Sequence, residues 1–404
     1  MLPLDGITVV SLEQAVAGPF ATRQLADLGA RVIKIERTGS GDFARGYDQA
    51  VLGQSSYFVW LNRSKESVAL DLKDARARQV VSTLIARADV FVQNLAPGAS
   101  ARLGLDAQTL QRDHPELIVC DLSGYGRDGP WSDRKAYDLL VQSEVGLLSL
   151  TGTEQSVAKV GVSIADIAAG MYGFSAILAA LYQRTSTARG SVIDVSMFEA
   201  LAEWMGAPAY YTMYSSRQPE RTGAEHATIA PYGPFVAADG ETIVIAIQNE
   251  REWASFCKNV LGDEELAFDE RFAGNPARVD NRAALRHLIE QRIGRLTGSE
   301  ARELLASSAV ATAELNSVPQ FLCHPVLSGR NRWREVGTPN GPVRALLPPG
   351  LADGADPRMG PVPAVGEHTA AVLTEVGVSE EELRVLAAED VITVWGPGSA
   401  EEVR

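Results

Sequence analysis

One carboxylate in this chain has a setting suited to chemistry. Asp166 lies within Val160-Gly161-Val162-Ser163-Ile164-Ala165-Asp166-Ile167-Ala168-Ala169-Gly170-Met171-Tyr172-Gly173, and no charged residue follows between Ile167 and Leu181. The pattern predicts a buried helix with Asp166 in its first turn. Two readings stay open there. Asp166 is either a first-turn acid that caps the helix and meets its positive end, or a nucleophile or base in a semi-dry, glycine-lined site. In both, the helix dipole is expected to keep the carboxylate ionised.

A second group is basic. Lys34, Arg37, Arg45, Arg63, Lys65 and Lys73 crowd the early part of a chain whose net charge is −14. They form a solvated face or a clamp for phosphates, for which Arg forks and Lys point charges are suited. A third feature, G-x-G-x-x-G from Gly124 to Gly129, follows an apolar strand, but Pro130-Trp131-Ser132-Asp133 comes next instead of a helix. A nicotinamide-dependent oxidoreductase therefore has little support.

Other chemistries are excluded more simply. Cys120, Cys257 and Cys323 are widely spaced, and the five histidines form no HxH or HExxH pattern, so neither a disulfide framework nor a metal site is expected. The acidic balance argues against nucleic acid as a partner. With 404 residues, 46% hydrophobic and 22% charged, the chain is an ordinary globular one. Polar residues interrupt its apolar runs before the ~18 residues of a membrane span, and Met1–Asp5 does not open a signal peptide, so a soluble cytoplasmic protein is expected.

The elements that must position these residues alternate. Strand Ile7–Leu12, turn Ala17-Gly18-Pro19, helix Phe20–Leu28 and strand Val32–Glu36 open a Rossmann-like α/β domain, though without a glycine fingerprint in that turn. Strands Val68–Leu72, Val90–Gln93 and Leu117–Leu122, separated by helices, extend a mostly parallel sheet. Residues 208–228 read as a connector. Residues 229–316 read as a small α+β domain with a hairpin around Asp239-Gly240. Residues 317–341 read as a return linker, and residues 342–404 complete the large domain, with Ser399–Arg404 frayed.

Nine stretches in order resemble the class III CoA-transferases, the formyl-CoA transferase and carnitine-CoA transferase family, which includes the alpha-methylacyl-CoA racemases. They are Leu4-Asp5-Gly6; Ala17-Gly18-Pro19 through Arg37; Gly39-Ser40-Gly41-Asp42; Leu61-Asn62-Arg63-Ser64-Lys65 with Leu70–Lys73; Val92–Gly98; Gly124-Tyr125-Gly126; Ala136-Tyr137-Asp138; Ser163–Gly170; and Gly366-Glu367-His368-Thr369. The resemblance implies that Asp166 attacks an acyl-CoA thioester, passing through an acyl-aspartyl anhydride and an aspartyl-CoA thioester before an acceptor acid completes the exchange. It implies CoA as substrate, held by Val16, Ala17, Arg37, Lys73, Asn94, Gly124 and Tyr125, with no metal or redox cofactor. It also implies a homodimer of two interlocked rings.

Three positions depart from the family pattern. Tyr137 stands where the racemases carry a histidine, which demotes racemisation. The family's glutamine near the first turn is unmatched at Val16. No glycine-rich lid occurs at Ile245–Glu250, leaving Gln248 or Asn249 as oxyanion donors. The likeness is nearest to members acting on short dicarboxylates, with Arg45 or Arg221 to pair with a distal carboxylate. The alternatives are an acyl-CoA racemase, a nicotinamide-dependent oxidoreductase and a non-catalytic CoA-binding protein.

Overall fold

The computed structural model describes residues 1–352 and 354–396; the expected fraying of Ser399–Arg404 lies outside them. The chain groups into two compact units. The first takes residues 1–145, 161–205 and the chain from Ser328 onward, and the second takes 146–160 and 206–327. Residues 146–160, placed with the first part by the sequence reading, thus group with the second unit.

The first unit is built on strands β1 (Thr8–Leu12), β2 (Arg31–Glu36), β3 (Lys65–Leu70), β4 (Val90–Gln93), β5 (Ile118–Ser123) and β6 (Val192–Ser196). Strands β1, β2, β4 and β5 are rich in Val and Ile and almost wholly buried on both faces, as parallel strands covered by helices must be, whereas β6 at the edge is half-buried. Helices α1 (Ala17–Asp27), α2 (Ser56–Leu61), α3 (Ala75–Ile85), α4 (Ala99–Arg102), α5 (Ala107–Asp113), α6 (Asp138–Glu144), α7 (Ile164–Thr187) and α8 (Met197–Trp204) connect them. The sheet order, β3-β2-β1-β4-β5-β6, is that of a doubly wound sheet, and its direction of travel reverses between β1 and β4. Ligands of such sheets gather at that reversal, outside the strands' carboxyl ends.

The second unit holds helices α9 (Gly206–Ser215), α10 (Glu250–Ser255), α11 (Asn275–Asp280), α12 (Arg282–Ile293), α13 (Gly298–Ser307) and α14 (Val318–Leu322). Its antiparallel sheet joins β7 (Tyr232–Val236), β8 (Thr242–Ala246) and β9 (Ala311–Glu314). The predicted hairpin is there. The stretch read as a connector is helical at α9, whose mixed aromatic and polar residues carry no clear period. Its core surrounds Phe235, Ile243, Trp253, Phe256 and Ile289.

Helix α15 (Pro325–Gly329) leads to the hairpin β10 (Trp333–Val336) and β11 (Val343–Leu346), so the return segment is partly regular. Helices α16 (Thr369–Glu375) and α17 (Glu380–Ala388) and strand β12 (Ile392–Thr393) follow. Strand β12 adds antiparallel to β3, and Val372, Leu373 and Leu386 enter the same core as Val10, Ile33 and Val68. The chain's end therefore completes the large sheet. The Gly366–Thr369 motif makes the join: Gly366 N donates to Ser67 Oγ at 2.9 Å, and Thr369 Oγ1 accepts from Ala69 N at 3.0 Å.

Helix α7 is long and apolar enough to cross a bilayer. Its small residues Ala165, Ala168, Gly173 and Ala180, with Ile177, form a buried stripe that packs on α1 and β5, the place of a core helix. The expectation of a helix buried all round is corrected, because Met171, Tyr172 and Tyr182 on its other side are exposed.

Candidate active site

Asp166 sits half-buried in the first turn of α7. Its carboxylate accepts the backbone N–H of Ala17, the first residue of α1, so two helix N-termini converge on it. The approach depends on Gly170, where a Cβ would lie 2.8 Å from the Ala17 carbonyl oxygen. The capping role open in the sequence belongs to another residue. Asp138 Oδ1 accepts the N–H of Ala165 at 2.8 Å and that of Asp166 at 3.4 Å, while its Oδ2 takes a 2.6 Å bond from Gln142. Asp138 closes the N-terminus of α7 from α6, which leaves the Asp166 carboxylate available for chemistry.

Burial, and then the negative charge of Asp138, push the Asp166 carboxyl from 3.8 up to about 7, against the opposing Ala17 N–H. The expectation that the dipole keeps it fully ionised is thus corrected: loss of hydration and a like charge outweigh the helix ends. A carboxylate with so high a pKa is an unusually basic one, and it is a stronger nucleophile than a solvated aspartate.

A cleft of about 560 Å³ opens at the carboxyl ends of β1, β2 and β3 and is closed on one side by Leu95, Ala99 and Leu103. Arg37, Lys73 and Arg78 line it, with the apolar wall Leu12, Ile35 and Leu70 behind. Arg78 escaped the sequence reading; its Nη1 donates to the carbonyls of Leu72 and Lys73, fixing the turn that presents Lys73. An anionic ligand with an apolar part fits this combination.

The early basic cluster divides. Lys34 Nζ meets Asp42 at 2.8 Å, Lys65 Nζ meets Glu13 at 2.7 Å, and all four side chains are fully buried. Arg63 pairs with Asp27. Arg45 forks onto Glu36 at 2.7 and 2.9 Å and lies 3.6 Å over the Phe58 ring. Burial would raise the Glu36 carboxyl, but Arg45 draws it down to about 2. These cations hold the scaffold, and of the early basic group Arg37 and Lys73 line the cleft, with Arg78. The idea that Arg45 or Arg221 pairs with a substrate carboxylate is corrected. Arg45 is engaged by Glu36, and Arg221 donates to the carbonyls of Thr153 at 2.8 Å and Glu154 at 3.0 Å.

The remaining candidates fall as follows. Val16 and Ala17 are buried at the start of α1. Asn94 is bound to the Gln14 backbone from both ends of its amide. Gly124 is packed so closely on Ala136 that a side chain would collide, and the Tyr125 ring meets Trp131 edge-on at 5.2 Å. Tyr137 precedes α6 and is 64% exposed. Tyr47 was not foreseen; burial, then the charges of Asp42 and Asp166 and the phenol of Tyr137, raise its phenol to about 12, and its ring packs on Phe43 and Tyr57. Only its position between two glycine-rich motifs and an aromatic run signals it. Gln248 and Asn249 are exposed in the second unit, and Asn249 Oδ1 caps α10 by accepting from Glu252 N at 2.9 Å.

A doubly wound sheet with a cation-lined cleft at its reversal and a basic carboxylate held between two helix N-termini is an arrangement suited to group transfer. The family model for CoA-transferase family III matches residues 4–369, and the chain belongs to that family. It is 32% identical over 382 residues to the succinyl-CoA:glutarate CoA-transferase of Homo sapiens, covering 93% of this chain and 86% of that protein. It is 34% identical over 384 residues to the acetyl-CoA:oxalate CoA-transferase of Acetobacter aceti, covering 94% and 97%. A CAIB/BAIF family protein from Brucella suis superposes with a TM-score of 0.81 at 35% identity, covering 93% of this chain and 99% of that one.

Proposed function

We propose that this CoA-transferase exchanges CoA between an acyl-CoA and a free carboxylic acid through Asp166. The observation that carries the reading is the half-buried Asp166 carboxylate held between the Ala17 N–H and the like charge of Asp138, its pKa raised to about 7. Asp166 attacks the thioester carbonyl, the C–S bond breaks, and CoA leaves as thiolate with an acyl-aspartyl anhydride left on the protein. The thiolate then attacks the aspartyl carbonyl, releasing the first acid and giving an aspartyl-CoA thioester. The acceptor carboxylate reverses both steps. No net thioester energy is lost, so no outside energy source is required.

In this proposal Arg37, Lys73 and Arg78 hold the CoA phosphates in the cleft. Val16, Ala17, Gly124 and Tyr125 border the thioester. The acids are short dicarboxylates, in keeping with the glutarate and oxalate of the human and Acetobacter relatives. The exposed Met171, Tyr172 and Tyr182 of α7 and Trp204 of α8 fit cover by a second copy, so we place the enzyme in a homodimer.

Mass spectrometry of the CoA products from a panel of acyl-CoA donors and acids tests the reading. New acyl-CoA formed by the parent protein and lost in Asp166→Ala is the expected result. Exchange that survives Asp166→Ala contradicts the mechanism.

A further inference from the structure

The β1–α1 loop, Glu13 to Val16, ends at the Ala17 N–H that binds Asp166. The Glu13 side chain anchors its start, but beyond it Ala15 stands at φ 61, a left-handed conformation that costs a non-glycine residue about 1 kcal/mol. The hold comes from outside. Asn94 Oδ1 accepts the Gln14 N–H at 2.8 Å and Asn94 Nδ2 donates to the Gln14 carbonyl at 2.8 Å, so one amide closes a two-bond ring on the loop backbone. Asp42 Oδ1 accepts the Ala15 N–H at 3.1 Å, and Lys34 Nζ donates to the Glu13 carbonyl at 3.1 Å. The Gln14 side chain also accepts from Arg37 Nη2 at 3.2 Å, which ties the loop to the cleft.

We propose that Asn94 is a positioning residue for the nucleophile: through Gln14 it fixes the loop that aims the Ala17 N–H at the Asp166 carboxylate. This rests on the CoA-transfer reading above. It differs from the role implied by family resemblance, in which Asn94 contacts CoA. In the structure both ends of the amide are engaged by the loop, and the cleft is lined by the neighbouring Leu95 instead. Loss of the clamp releases the Ala17 N–H, which is the group opposing the upward push on Asp166. The acidic limb of the pH–rate profile then moves to higher pH.

The test is Asn94→Asp, which keeps the shape and the acceptor but loses the donor to Gln14 O, with Asn94→Ser as the second variant should Asn94→Asp not fold. Two readouts are taken. In steady-state exchange, the expected result is kcat lowered about tenfold or more, as for a lost charge-adjacent hydrogen bond, with KM for the acyl-CoA within about threefold and the acidic limb raised. In hydrogen exchange without CoA, the peptide covering residues 13–19 gains exchange while that covering β3 does not. A KM raised tenfold with kcat and pH profile unchanged, or unaltered exchange in residues 13–19, overturns the proposal. If the parent protein transfers no CoA, the function reading fails, and the hydrogen-exchange arm still decides whether Asn94 holds the loop.

Discussion

Asp166→Asn turns the charge state of the proposed nucleophile into a measurable stability. The folded carboxyl ionises at about 7 where the ordinary value is 3.8. At 1.36 kcal/mol per pH unit that difference corresponds to roughly 4 kcal/mol, an upper bound because a half-buried group is partly screened, so about 2–4 kcal/mol is expected. The direction follows from proton binding. Between about pH 4 and pH 7 the folded chain holds a proton that the unfolded chain has released. The contribution is complete below about pH 4, declines as pH rises through 7, and is absent above it. Asn carries no such charge and keeps an oxygen for the Ala17 N–H. Relative to Asp166→Asn, the parent protein therefore loses about 2–4 °C of Tm between about pH 4 and pH 8, since a chain of this length shifts by roughly 1 °C per kcal/mol. Scanning calorimetry at fixed protein concentration and matched ionic strength is the assay. A Tm difference that stays constant across this range, or one that changes in the opposite direction, refutes the assignment of a raised pKa to Asp166.

The same structure yields three further expectations. Arg37→Ala and Lys73→Ala should each raise KM for acyl-CoA about tenfold or more with little change in kcat, as loss of one charge-assisted phosphate contact implies; unchanged KM in steady-state kinetics would remove them from the cleft's ligand. Asp138→Asn keeps an oxygen for the Ala165 N–H but removes the like charge, so the acidic limb of the pH–rate profile should move to lower pH; a limb that stays in place means Asp138 does not act on Asp166 electrostatically. Arg45→Met leaves Glu36 buried without its fork and should cost about 3–5 kcal/mol in unfolding experiments, while the ratio of dicarboxylate to monocarboxylate turnover stays the same; a changed ratio would return Arg45 to the substrate site.

The sequence made the framework legible where one local period ruled. The β-branched runs of β1, β2, β4 and β5 and the hairpin of β7 and β8 lie within a few residues of where pattern put them. Strands β9 and β12 were missed because they are short and take their identity from a partner: Thr393 pairs with Ala69, more than three hundred positions away. Asp166 was legible because charge is conspicuous in an apolar run. The residues that set its chemistry were not. Asp138 reaches it across 28 positions and Ala17 across the whole of the sheet's first half, and neither the cap nor the N–H contact leaves a mark in spacing. The basic residues were misjudged for a related reason. A count of Lys and Arg does not reveal that Lys34, Arg45, Arg63 and Lys65 each find a carboxylate in the fold, while Arg37 and Lys73 face the cleft.

The central claim is that the Asp166 carboxylate becomes covalently bonded to the substrate during turnover. Mixing the protein with acyl-CoA, quenching in acid and mapping peptides by mass spectrometry tests it most directly. The expected result is a CoA thioester on the peptide carrying Asp166, cleared by adding an acceptor acid and absent from Asp166→Asn. An active preparation with no adduct on that peptide, or with the adduct on another residue, contradicts it.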